Sequence, residues 1–103
     1  MIDRHGKRME VLTRRVLASP GALDAEVRAA IAAGMDVPPA LAPYITKVVQ
    51  HAYKVTDEDV AALREEGISE DEIFEATVAA ALGAGLKRLR AGLVALEKER
   101  ELT

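Results

Sequence analysis

Apolar residues recur along this chain at the three- and four-residue spacings of amphipathic helices, and no segment shows the alternation of a half-buried strand. Met9, Leu12 and Val16, with Leu17 beside them, predict a first helix that stops at Ser19-Pro20-Gly21. Leu23, Val27 and Ile31 predict a second, closed by Gly34 as its left-handed C′ residue. The Pro38-Pro39 pair keeps the following loop extended. A third helix then starts between Ala40 and Pro43, because proline is tolerated in a first turn, and carries the stripe Leu41, Ile45, Val48, Ala52 with Val49 alongside. Thr56, followed by Asp57, Glu58 and Asp59, is an N-cap for a short helix through Val60 and Leu63 that Gly67 ends.

The strongest local signal comes next. Ser69 with Glu72 has the spacing of a capping box, and Ile68 and Ile73 stand at the two positions of a hydrophobic staple. From there Val78, Leu82, Leu86, Leu89, Leu93 and Leu96 continue one apolar pattern, with a heptad-like seam from Leu82 to Leu96. Unbroken, this C-terminal helix runs about 30 residues and roughly 45 Å. Gly83, Gly85 and Gly92 lie inside it, each costing about 1 kcal/mol relative to alanine. Either the helix breaks near Gly83-Ala84-Gly85, or these glycines let another backbone come close.

The expectation is a single all-α domain over residues 1–103, of about five helices with a long C-terminal one, and residues 1–6 as a flexible tail. Composition supports it. Half of the residues are apolar, yet only Tyr44, Tyr53 and Phe74 are aromatic, and nineteen alanines make up the difference. Alanine is the best helix former, whereas the residues sheets favour are scarce. A helix of roughly 45 Å overhangs a domain whose expected radius of gyration is about 13 Å, so its far end calls for a partner. Leu82, Leu86, Leu89, Leu93 and Leu96 are the expected seam of a homo-oligomer, with the first helix as the competing cover from within the chain.

Charge narrows the partners. Nine acidic residues and one basic residue, Arg64, fall between 57 and 75, a stretch that either complements helix N-termini or offers an acidic face to a basic protein. A pI of 5.4 without a dense basic patch or an aromatic platform argues against nucleic acid. No apolar run reaches the roughly 20 residues of a membrane span, and Met1 to Gly6 lack the apolar stretch of a signal peptide, so a soluble, cytoplasmic protein with no membrane partner is expected. With no cysteine, disulfides, zinc–thiolate sites, iron–sulfur clusters and all thiol chemistry are excluded.

The stretch from Val55 to Ile73, reading VTDEDVAALREEGISEDEI, resembles the VT-DEDV-ALR-AG-SDEEI pattern of the carboxymuconolactone decarboxylase/alkylhydroperoxidase D-like superfamily. Ala80-Ala81-Leu82 through Leu89 is similar to the long helix that ends those domains, and the resemblance covers about residues 53–96. It implies a small all-α domain that assembles into trimers, hexamers or larger rings. The peroxidase branch uses a Cys-x-x-Cys pair with a histidine and a glutamate. Here the matching spacing in Ala42-Pro43-Tyr44-Ile45 has alanine and isoleucine at its ends, and Val49 stands where the histidine would follow. The resemblance therefore implies a pseudoenzyme for peroxide reduction, an oligomeric binding or assembly protein.

The decarboxylase branch works without thiols, and it suggests an alternative. His51 lies on the same helical flank as Tyr44 and Lys47, at i−7 and i−4. A histidine can act as general acid or base, a tyrosine can hydrogen-bond an oxyanion, and a lysine can attract a carboxylate or lactone substrate. The other reading of His51 is a boundary residue on a partly exposed helix. Glu58, Glu65, Glu66 and Glu72 could in principle bind a divalent ion, but they more simply solvate a surface. No cofactor and no metal are expected.

Overall fold

In the computed structural model, residues 20–102 are described continuously, together with residues 7, 8, 10, 11, 13–15 and 17. The expectations for Met9, Leu12, Val16, Ser19 and the 1–6 tail lie outside the described residues. The described residues between 7 and 17 are helical. They are followed by α1 (Ala25–Ala33), α2 (Ala42–His51), a 3-10 turn (Ala52–Lys54), α3 (Asp57–Glu65) and α4 (Glu70–Leu102). Among the described residues there are five α-helical segments and no strand, so the all-α expectation holds.

The helix ends are built from the residues that mark them in the sequence. Gly34, at φ 71°, ends α1 in a left-handed conformation; its N–H donates to the Ile31 carbonyl and the Met35 N–H to the Ala30 carbonyl. Those two bonds form a Schellman motif, which needs φ above zero at Gly34. Gly67, at φ 93°, ends α3 in the same way, with bonds from Gly67 to Arg64 and from Ile68 to Leu63. Thr56 is a full capping box, because its hydroxyl accepts from the Asp59 N–H while Asp59 Oδ2 accepts from the Thr56 N–H. Ser69 and Glu72 form the second box, at 3.1 and 3.0 Å.

Helix α4 is the spine. It runs unbroken for 33 residues, about 50 Å at 1.5 Å per residue, and α1, α2 and α3 all pack on its first half. Ala76, Ala79 and Ala80 are its most deeply buried residues, and around them close Leu23, Ile31, Leu41, Tyr44, Ile45, Leu63 and Ile73. Small residues at the centre let α1 and α2 come near the α4 backbone. One close approach is at Gly83, where a Cβ would stand 2.7 Å from the Ala32 Cα and carbonyl carbon. Of the two sequence readings of that glycine, the close approach is the one that holds, and no break occurs at Gly83–Gly85. The second half of α4 extends beyond this core. The radius of gyration is 15.8 Å and the long axis 55 Å, above the roughly 13 Å radius of a compact chain of this length.

Candidate functional site

The three polar residues of the α2 flank fall into two different settings. Tyr44 is buried, and its hydroxyl lies 2.8 Å from Thr77 Oγ1. Thr77 donates its only hydroxyl proton to the Ile73 carbonyl at 2.7 Å, so Tyr44 is the donor to Thr77. Lys47 Nζ sits 2.8 Å from Asp59 Oδ2, linking α2 to α3. That ammonium, together with the Thr56 N–H, holds the Asp59 carboxyl below the usual carboxylate range.

Tyr44, Lys47 and Asp59 share a surface depression of about 280 Å³ with Ala40, Pro43, Ala62, Leu63 and Glu66. His51 does not line it. As the last residue of α2, His51 is exposed and meets Tyr53 edge-on, with ring centroids 6.1 Å apart. Lys54 Nζ lies 5.8 Å from the Tyr53 ring centre, so an exposed aromatic and basic corner forms where α2 gives way to the 3-10 turn. The structure thus brings Tyr44 and Lys47 together and leaves His51 apart. Chemically, the depression holds an ammonium already compensated by Asp59 and a phenol whose proton is committed to Thr77. A carboxylate ligand there would compete with Asp59 for Lys47.

The acidic stretch is only partly a solvated face. Asp59 and Glu72 are engaged as capping acids, and Glu75 reaches back across 53 residues to accept the Ala22 N–H at 2.7 Å and the Leu23 N–H at 3.1 Å. Its other neighbour is buried Arg28, 3.8 Å away. The local sequence carries no signal for this clamp. Asp57, Glu58, Glu65, Glu66, Glu70 and Asp71 stay exposed. Among the described residues, no group of three or more histidines, aspartates and glutamates is arranged to hold a metal ion. No described helix is long and apolar enough to cross a membrane.

Along the expected seam, Leu82, Leu86 and Leu93 are half-buried, while Leu89 and Leu96 are exposed. Glu10, Thr13 and Arg14 face Leu86, Leu89, Arg90 and Leu93 across an open depression of about 440 Å³, so the N-terminal helical residues flank one side of the leucine strip. Exposed Phe74, near the start of α4, has no counterpart among the sequence expectations. Compared with family models, with curated proteins and with solved structures, the chain matches none.

Proposed function

We propose that this chain is a cysteine-free helical protein of the alkylhydroperoxidase D-like kind that acts as a homo-oligomer in binding or assembly, without thiol peroxidase activity. The observation that carries the reading is the thinness of the core beside the length of α4. Among the described residues no large side chain is fully buried, and the residues closest to zero exposure are alanines. Meanwhile α4 carries Leu89, Val94, Leu96 and Leu102 exposed along its far half. Large apolar side chains left in water forgo roughly 1.5–3 kcal/mol each, a large sum against a typical domain stability of about 5–15 kcal/mol. A second chain recovers that burial. The leucine strip from Leu82 to Leu96 is the proposed seam, in a trimer, hexamer or larger ring, and a cytoplasmic location belongs to the same reading.

One observation favours the lyase alternative, the depression shared by Tyr44 and Lys47. It receives no general acid or base from His51, which supports the assembly reading over it. Sedimentation tests the proposal. The wild-type chain should sediment at a multiple of 11.1 kDa at micromolar concentration, and Leu89→Lys with Leu93→Lys should reduce that mass by placing like charges on both sides of the contact. A wild-type mass of one chain would overturn the reading. Dithiol-coupled hydroperoxide reduction above buffer, without added metal or haem, would overturn its chemical half.

A further inference from the structure

The exposed corner at the end of α2 is also where basic residues of α4 arrive. The Arg88 guanidinium donates to the Val49 carbonyl at 3.5 Å, and Lys87 and Arg90 line a depression that Val49 shares with the end of α1. Lys54 stands over the Tyr53 ring a few residues further along the chain. Tyr53 itself is 82% exposed, against 8% for Tyr44 within α2. Arg88 is accounted for by the carbonyl it meets. Lys54, Lys87 and Arg90 enter no ion pair among the described residues. Tyrosine beside basic residues is a composition that interfaces favour over the rest of a surface.

The opposite chemistry stands on α3. Its outward side carries Asp57, Glu58, Glu65 and Glu66 with Ala61 and Ala62 between them, all six exposed. Among the described residues, ion pairs take Asp59, Glu70 and Glu75 and leave these four carboxylates without a basic partner. Asp57 and Glu58 complement the N-terminus of α3. Glu65 and Glu66 stand at its C-terminal end, where the helix dipole disfavours acids, so helix chemistry does not explain them. Ala62 and Glu66 also line the depression of about 280 Å³ between α2 and α3, with Ala40, Pro43 and Leu63 as further apolar wall. Apolar walls with a carboxylate at the rim suit a tyrosine, whose ring packs while its O–H finds an acceptor.

We infer that Tyr53 of one copy seats in the depression between α2 and α3 of a second copy, bringing Lys54 and Lys87 of the first beside Glu65 and Glu66 of the second. The contact joins two different patches, so it is head-to-tail, and its repetition gives a ring where the rotation closes. Tyr53 is the buried anchor, whereas exposed ion pairs at the rim are screened and set mainly orientation and encounter rate. A second copy is favoured over another acidic protein because this one chain carries both halves of the contact. The inference rests on the assembly reading and adds to it an interface distinct from the leucine strip.

Charge reversal in the full chain tests the pairing. Lys54→Glu with Lys87→Glu reverses the corner, and Glu65→Lys with Glu66→Lys reverses the face; all four side chains are exposed. Each double variant, folded by circular dichroism, should sediment at a smaller mass than the wild type. An equimolar mixture of the two should regain the larger mass, because the intact acidic face of one meets the intact corner of the other. Tyr53→Ala, at an exposed position, should weaken association by about tenfold or more, the scale of a buried aromatic anchor. If both double variants keep the wild-type mass, if their mixture recovers nothing, or if Tyr53→Ala associates as the wild type does, this pairing is overturned and the assembly reading stands. Uptake of poly-glutamate by a wild type whose mass neither reversal changes would place another acidic protein at the corner and overturn the pairing as well. A wild type that sediments as one chain overturns both.

Discussion

Gly83→Ala sets two physical effects of opposite sign against each other. In an isolated helix the change removes the entropic cost of glycine and stabilises by about 1 kcal/mol. Here the new methyl group would stand 2.7 Å from the Cα and carbonyl carbon of Ala32. That obstacle is the backbone of α1, so relief requires α1 and α4 to move apart rather than a side chain to change rotamer. Overpacking of a fitted core costs about 1–3 kcal/mol, and an immovable neighbour belongs at the upper end. The net expectation is a loss of about 2 kcal/mol, which for a chain of this length lowers Tm by roughly 8–16 °C. Thermal unfolding followed by circular dichroism measures it, with protein concentration held equal because association adds to apparent stability. Gly85→Ala should move Tm the other way, since no described atom lies within 4 Å of its Cβ. A Gly83→Ala protein as stable as wild type, or more so, would refute the close helix crossing.

Three further outcomes follow from the hydrogen bonds. Ser69→Ala should cost about 1 kcal/mol in urea unfolding, since it removes the hydroxyl that accepts the Glu72 N–H, and an unchanged midpoint would mean that the cap carries no stability. Glu75→Ala should cost about 1–3 kcal/mol and expose the 20–23 segment to proteolysis, because the Ala22 and Leu23 N–H groups lose their acceptor; unaltered cleavage there would contradict the clamp. Asp59→Asn should show its deficit at neutral pH. The Asp59 carboxyl is held below its ordinary range, so its contribution is present above about pH 4 and fades as pH falls through the lowered value. The gap between wild type and variant should therefore close on acidification and narrow with added salt, and a gap independent of pH would exclude the charged pair as its source.

Local chemistry determined most of the secondary structure. Thr56, Ser69, Gly34 and Gly67 end helices through bonds made within five residues, so their roles are legible wherever the chain is read. The four-residue spacing of Leu41 and Ile45 likewise marks the buried face of α2. What tertiary structure alone decided involves partners distant in sequence. Glu75 reads as one more surface acid in an acidic run, and only the fold brings the Ala22 and Leu23 N–H groups to it. Gly83 and Gly85 are two residues apart in the same helix and look alike as letters. One is required by the Ala32 backbone and the other faces open space, a distinction made by where α1 crosses. Helical periodicity placed Tyr44, Lys47 and His51 on one flank, but it could not foresee that α3 would supply Asp59 to Lys47 and that α4 would supply Thr77 to Tyr44, while His51 stays exposed. A helical wheel reports which residues share a side; which sides are covered depends on the packing of the other helices.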